Sequence, residues 1–260
     1  MDNPFGMTAE EYSTIAVSDY LAKILGLKPY PETPLVIMTA RSSNSAAVVT
    51  PIFQDFSAKY LPQLVEKWKH LDKSHATLYS DVLRALTRNN YWGRFQLTHP
   101  LGRIVAAEHA LRLSRQQVPI KDDAYNFSGS TMFLWNLLIW EDKQGDEFPI
   151  PEATAEKIVE LIEEFLRDCP GQMGTTTAKG CMLLLRSRGS DPQPRFTLEV
   201  TKAQWTMDLR VCGFCDAEEG PGGAPLMRCG KCRNVAYCGA EHQKMGWRGH
   251  KARCIKASWE

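Results

Sequence analysis

The chain contains 260 residues, of which 43% are hydrophobic and 10% aromatic, and its net charge is +1. This composition excludes a disordered chain, and the near-neutral charge argues against a protein that binds nucleic acid over its whole surface. The longest apolar run, Met132–Trp140, is too short to cross a bilayer, and the first residues lack a secretory pattern, so we expect an intracellular protein, cytoplasmic, nuclear or both, with no membrane partner.

Helical periodicity dominates the first part of the chain. A capping box at Thr8–Glu11 opens an amphipathic stretch that predicts a helix ending at Gly26. Residues 34–49 predict a second helix. Because proline is favoured at the first helical position, Pro51 predicts the start of a third helix, with Pro62 as a kink or break within it.

Further apolar stripes at helical spacing follow. They predict helices over residues 74–86, 101–113, 128–140, 154–166 and 175–186. Residues 194–200, Pro-Arg-Phe-Thr-Leu-Glu-Val, predict a strand instead. Helices joined by short turns, without alternating strands, indicate an all-α N-terminal domain, either an irregular helical bundle or a short armadillo- or HEAT-like stack. We place this domain at residues 1–205 and a small second domain at residues 206–260.

The last fifty residues contain six of the eight cysteines, which form four close pairs together with two histidines. The pairs are Cys212 with Cys215, Cys229 with Cys232, Cys238 with His242, and His250 with Cys254. A Cys-x2-Cys turn can present two thiolates to one ion, and ligands four residues apart share one face of a helix. Fold-spanning disulfides between such near neighbours would be strained and would leave the histidines unexplained. Thiolate and imidazole ligands suit zinc, so the pattern predicts two structural zinc ions.

This spacing, with Tyr237, Gln243 and Trp247, resembles the MYND-type zinc finger over residues 212–254. The resemblance implies interleaved sites, in which the first and third pairs bind one ion and the second and fourth pairs bind the other. One ion would then be bound by Cys212, Cys215, Cys238 and His242, and the second by Cys229, Cys232, His250 and Cys254. The family usually has cysteine where this chain has His242, and imidazole is an equally good zinc ligand.

The resemblance also implies a protein partner, bound as a short proline-containing segment that lies beside the finger as an extended strand. Gln243 and Trp247 match the family positions that contact such a peptide, and an indole offers proline rings a flat surface. An alternative role for Trp247 is to fill the space between the zinc sites. Gly230 stands where the family often has a small polar residue, so one side-chain contact would be missing. The resemblance thus implies an adaptor for protein–protein interaction, as in transcriptional or regulatory complexes.

The basic character of the finger supports an alternative hypothesis. Residues 228–256 contain eight lysines or arginines against a single acid, Glu241, and such a surface can contact nucleic-acid phosphates. The sequence shows no helix with a series of base-reading side chains, so a nucleic-acid-binding zinc protein ranks second.

The sequence lacks the usual signatures of an enzyme, including the nucleophile elbow, the phosphate-binding loop and the His-Glu-x2-His motif. Four protein ligands would leave each zinc without a position for activated water. SET-domain lysine methyltransferases also carry MYND fingers, but their Asn-His-x-Cys-like stretch is absent here, which makes that activity the least favoured hypothesis. We therefore expect a protein that is not an enzyme.

Four residues outside the finger could suggest other chemistry. His99 and His109 lie on predicted helices without neighbours at ligand spacing, so we expect capping or core roles. Cys169 and Cys181 are expected to be buried free thiols.

Overall fold

The computed structural model of the protein describes residues 21–22, 25–27, 46–71, 73–251 and 254–260, with only the backbone described at 46–52 and 73–78. Contacts divide the chain into two compact units. The first consists of Met1–Leu64, Asn89–Trp92 and Thr206–Glu260, and the second of Val65–Arg88 and Gly93–Trp205. The division into domains at residues 1–205 and 206–260 stays a prediction.

The part of the chain described before residue 206 contains eight α-helices whose bounds can be given, numbered here in chain order. They are α1 (Ala46–His70), α2 (Lys73–Leu86), α3 (Asn90–Thr98), α4 (Pro100–Ser114), α5 (Ala124–Leu138), α6 (Glu152–Asp168), α7 (Thr175–Arg186) and α8 (Pro192–Trp205). Short 3-10 turns lie at Ile120–Asp122 and Gly145–Glu147. The predicted all-α class of the N-terminal region is confirmed. No helix in the described residues combines the length and the apolar character that a membrane span requires.

The second unit has a hydrophobic core of its own. Helix α6 packs against α4 and α7, and α5 packs against α2, α4 and α7. The buried contacts recur at helical spacing, as in Leu134 and Leu138 of α5 and Ile158 and Ile162 of α6. Trp140 is buried beside this core, and its indole N–H donates to the Thr87 carbonyl at 2.8 Å.

Two histidines of the second unit, His99 and His109, have the structural roles that the sequence predicts. His99 is the N-cap of α4, and its Nδ1 accepts a hydrogen bond from the Leu101 amide at 3.2 Å. His109 is buried on α4, where its Nε2 donates to the Ser130 carbonyl at 2.8 Å and its ring lies against Phe133 with centroids 4.5 Å apart.

The free cysteines of the second unit differ from each other. Cys181 is fully buried, and burial raises the pKa of its thiol far above the ordinary range. Cys169 follows the last residue of α6 and is partly exposed, so its expected burial is only partial.

The strand predicted at residues 194–200 is wrong, because this segment lies within α8. Asp191 precedes the helix, and its Oδ1 accepts a hydrogen bond from the Gln193 amide at 2.9 Å. Pro192 then occupies the first helical position, and Leu198 is buried in the core of the second unit. An Asp-Pro helix start and one buried apolar face outweigh the weak strand propensity of this segment.

The predicted break between two helices at Thr50–Pro51 is also wrong. Helix α1 begins at Ala46 and continues through Pro51 and Pro62 to His70. The helix that was predicted to end at Gly26 does end there: Gly26 has φ 62°, and the Leu27 amide donates to the Ala22 carbonyl at 2.8 Å. The rest of that helix and residues 34–45 lie outside the described residues.

Candidate metal centre

The cysteine-rich segment folds around a very small sheet and one helix. Strands β1 (Met227–Arg228) and β2 (Ala236–Tyr237) are antiparallel, with Met227 opposite Tyr237, and helix α9 (Ala240–His250) packs against β2. Before β1 lie two 3-10 turns, Met207–Leu209 and Pro221–Gly223. The exposed glycines Gly222 and Gly223 of the second turn have φ values of 69° and 79°.

Backbone hydrogen bonds hold the two Cys-x2-Cys turns against the sheet. The Gly213 amide donates to the Ala236 carbonyl at 2.9 Å, and the Cys229 amide donates to the Val235 carbonyl at 2.9 Å. Both turns therefore lie beside β2, and each is fixed by main-chain contacts that do not depend on the cysteine side chains.

Helix α9 supplies a histidine to each site. His242 and His250 are eight residues apart, which places them about two turns apart along the helix and about 80° apart around it. His242 presents Nδ1 and His250 presents Nε2. The Phe214 ring packs on His242 with centroids 5.1 Å apart, a supporting contact that the sequence analysis missed.

The structure brings all eight predicted ligands together in two groups, as the interleaved pairing requires. The first site contains Cys212, Cys215, Cys238 and His242, and the second site contains Cys229, Cys232, His250 and Cys254. Within each group the ligand atoms lie within 4.8 Å of one another. All four residues of the second site are buried, whereas in the first site Cys215 is exposed and Cys238 and His242 are half-buried.

The spacing of the ligand atoms fits a tetrahedral zinc ion. Zinc–sulfur bonds of about 2.3 Å imply sulfur–sulfur edges of about 3.8 Å. The Sγ atoms of Cys215 and Cys238 are 3.8 Å apart, and those of Cys229 and Cys254 are 3.6 Å apart. Cys212 Sγ lies 3.7 Å from His242 Nδ1, and Cys232 Sγ lies 3.3 Å from His250 Nε2. Cys238 Sγ and His242 Nδ1, at 2.8 Å, are closer than a tetrahedral edge.

The protonation equilibria of the cysteines also favour a bound cation. At Cys212 burial opposes ionisation, but backbone amides including those of Cys238 and Cys215 outweigh it and lower the thiol pKa to about 6. Burial and the thiolate charge of Cys232 raise the pKa of Cys254 to about 12. Three thiolates around one point repel one another, and a divalent cation removes this repulsion. The donor set and geometry therefore fit two zinc ions, each with four protein ligands.

Tyr237 fills the space beside the zinc ligands. Its side chain is 1% exposed, belongs to the cluster of buried cysteines, and lies 6.2 Å from His250 between ring centroids. A Cβ atom added at Gly246 would lie 3.1 Å from the tyrosine ring, so the glycine allows α9 to approach β2 closely. Tyr237 therefore has a structural role beside the zinc ligands.

The two predicted peptide-binding residues lie one turn apart on α9, so they share one side of the helix. Gln243 is half-buried, and Trp247 is 38% exposed. The Trp247 ring meets His250 edge-on, with centroids 5.7 Å apart. Trp247 thus supports a zinc ligand and still exposes part of its surface.

Two interleaved sites of three cysteines and one histidine, held by a short sheet and one helix, define a compact double-zinc finger. Residues 212–254 match the family model of the MYND finger. The C-terminal part of the chain is therefore a MYND finger, a module that generally mediates protein–protein interaction. The chain is 40% identical over 47 residues to Egl nine homolog 1 of Mus musculus, a match covering 18% of this chain. The chain spans about a tenth of that relative's length. No solved structure matches this chain.

Proposed function

We propose that this protein is a non-catalytic adaptor whose MYND finger recruits a protein partner by binding a proline-containing segment in an extended conformation. The observation that carries the proposal is the placement of Trp247. Its edge contact with His250 fixes the indole, and 38% of the side chain remains exposed. A rigid, partly exposed indole stacks on proline rings at little entropic cost.

Gln243 supports the same proposal. It lies one turn before Trp247, so its amide can hydrogen-bond the backbone of a peptide that stacks on the indole. The zinc sites support the non-catalytic part of the proposal, since four protein ligands leave no position on either zinc for a substrate.

The proposal can be tested by isothermal titration of the full chain with a panel of proline-containing peptides. Trp247→Ala should weaken the binding of a selected peptide by about 1–3 kcal/mol, and Gln243→Ala by about 1 kcal/mol. Met245→Ala is the matched control, because Met245 is 50% exposed on α9 but points away from the side that carries Gln243 and Trp247. Each variant must retain two equivalents of zinc and the thermal stability of the parent protein.

Binding of nucleic acid is the second candidate, because Lys244, Arg248 and Lys251 are all exposed on or just after α9. If Trp247→Ala and Gln243→Ala bind peptide as well as the parent protein, the peptide proposal fails. Affinity for duplex DNA that falls steeply with salt, and that is lost when the three cations are neutralised, would then favour the basic surface.

A further inference from the structure

The residues after the last zinc ligand dock on helix α1 within the first unit. The Ser258 amide donates to the Ala58 carbonyl at 2.7 Å, and the Ser258 hydroxyl donates to the Lys59 carbonyl at 2.9 Å. The Trp259 indole N–H donates to the Ser57 carbonyl at 3.1 Å. Three donors of the tail, defined here as residues 255–259, thus meet three consecutive carbonyls of one helix.

The sequence of α1 explains why Ala58 can accept this hydrogen bond. A helical carbonyl normally accepts the amide four residues later, and for Ala58 that residue is Pro62, which has no N–H. The proline ring also crowds the carbonyl four residues before it. Ala58 is fully buried, so water does not readily replace the missing donor. The Ser258 amide supplies the donor that Pro62 lacks.

Apolar contacts hold the same tail. Ala257 is 2% exposed and forms a buried cluster with Ala58 and Tyr91, against which Ile255 and Trp259 pack. The Tyr91 hydroxyl donates to the Ile255 carbonyl. The tail is therefore held at both ends by hydrogen bonds and between them by a buried alanine.

The docked tail is directly joined to the second zinc site. Cys254 is one residue before Ile255, and its Sγ lies 3.6 Å from Cys229 Sγ. Holding Cys254 at the metal keeps the tail close to its acceptors on α1, and the docked tail keeps Cys254 close to the other three ligands. Since such linkage is reciprocal, each event must favour the other by the same factor.

We propose that the tail is a zinc-coupled latch: occupation of the second site favours docking of residues 255–259 on the Pro62 turn of α1, and docking raises the zinc affinity of the second site without changing that of the first. The latch connects the metal state of the finger to the helical residues of the first unit. It does not depend on the peptide-binding function proposed above.

Hydrogen exchange of the parent protein provides the first test. With zinc bound, the Ser258 amide should be protected, because it donates to a buried carbonyl. Removal of zinc by a chelator should raise the exchange rate of the Ser258 amide to that of an unstructured peptide. Protection that is unchanged after both zinc ions are removed overturns the proposal.

Zinc affinity in full-length variants provides the second test, measured by competition with a chromogenic chelator. Cys215→Ser leaves only the second site intact, and Cys229→Ser leaves only the first. Added to the Cys215→Ser chain, Ser258→Pro removes the tail amide and should lower the zinc affinity of the second site by about 5- to 150-fold. Added to the Cys229→Ser chain, it should leave the affinity of the first site within about twofold. Equal effects on both sites, or none, overturn the proposal.

Two further variants identify the hydrogen bond itself. Ser258→Ala keeps the amide and loses only the hydroxyl, so it should lower the zinc affinity of the second site less than Ser258→Pro does. Pro62→Ala returns an N–H to α1 that can satisfy Ala58, so in its presence Ser258→Pro should have a smaller effect. If Ser258→Pro lowers the zinc affinity of the second site equally in the chain with Pro62 and in the Pro62→Ala chain, the Ala58 hydrogen bond is not the basis of the latch. The proposal then fails.

Discussion

Asp216 and Arg233 occupy equivalent positions in the two Cys-x2-Cys turns. Each residue follows the second cysteine, and their φ values are 57° and 58°. The Asp216 amide donates to the Cys212 carbonyl, and the Arg233 amide donates to the Cys229 carbonyl, both at 2.9 Å. The same left-handed turn therefore closes both pairs of cysteines and directs their thiolates to a common point.

Substitutions at Arg233 test this turn. A left-handed conformation costs a residue with a Cβ about 1–2 kcal/mol, so Arg233→Gly should keep or slightly raise the stability of the finger. Arg233→Val should lower its free energy of unfolding by about 1–2 kcal/mol, because a β-branched side chain tolerates this conformation poorly. The measurement is thermal release of zinc to a chromogenic chelator. Arg228→Val, at an exposed strand position, is the control and should have little effect.

Metal removal should affect the two units unequally. We expect metal analysis to give about two zinc ions per chain, and chelation to unfold the finger. Most of the helical circular dichroism should remain, because the core of the second unit contains none of the zinc ligands. One equivalent or none would contradict the two-site assignment. Loss of the whole helical signal in a single step would show that the chain folds only with metal.

Replacement of Tyr237 by phenylalanine should be tolerated. Its buried hydroxyl has no hydrogen-bond partner among the described residues, so Tyr237→Phe should leave stability unchanged or raise it by at most about 1 kcal/mol. Tyr237→Ala should cost about 3–5 kcal/mol, since it opens a cavity beside the zinc ligands. The stability of both variants can be measured by thermal unfolding, followed by the release of zinc. A large loss in Tyr237→Phe would show that the hydroxyl has a partner, such as water.

Burial of His109 should make the stability of the protein depend on pH. The pKa of this imidazole is lowered to about 4, chiefly by burial and also by the charge of nearby Arg112, whereas the hydrogen bond to the Ser130 carbonyl acts in the opposite direction. In the unfolded chain the same imidazole has a pKa of about 6.5, so the unfolded chain binds a proton here more readily than the folded chain does. The contribution of neutral His109 is complete above about pH 6.5 and is lost as pH falls towards 4, by up to about 3 kcal/mol.

A comparison with His109→Gln isolates this effect, because both chains lose zinc ligands to protonation at low pH in the same way. The difference in free energy of unfolding between the two chains should change between pH 7 and pH 4, with the parent protein losing more stability. A constant difference over this range would contradict the assignment.

Patterns with a strict local cause could be predicted well. The eight zinc ligands form close pairs whose spacing is itself the chemical signal, and α7 has the predicted bounds Thr175–Arg186. The predicted helices at residues 101–113 and 154–166 correspond to α4 and α6, which extend one and two residues further at each end. Here apolar periodicity and helix-start residues indicate the same element.

Features that depend on distant contacts were missed. The sequence predicts a helix start at Pro51 because proline favours the first helical position, whereas the helix already begins at Ala46 and continues to His70. Helix α3 was not predicted, since it has only nine residues and contains Gly93. Docking of Ser258 on Ala58 joins residues 200 positions apart, and no local pattern in the sequence marks it.

The interleaved order of the ligands limits where the finger can accept additional residues. Only five residues separate Cys232 from Cys238, and this segment includes β2, so an insertion there would displace ligands of both ions together. The segment between Cys215 and Cys229 is longer, and Gly222 and Gly223 lie exposed in it at positive φ. A fluorescent label or short epitope could be introduced between these two glycines with both zinc sites intact, and its signal would report on metal and partner binding from within the module.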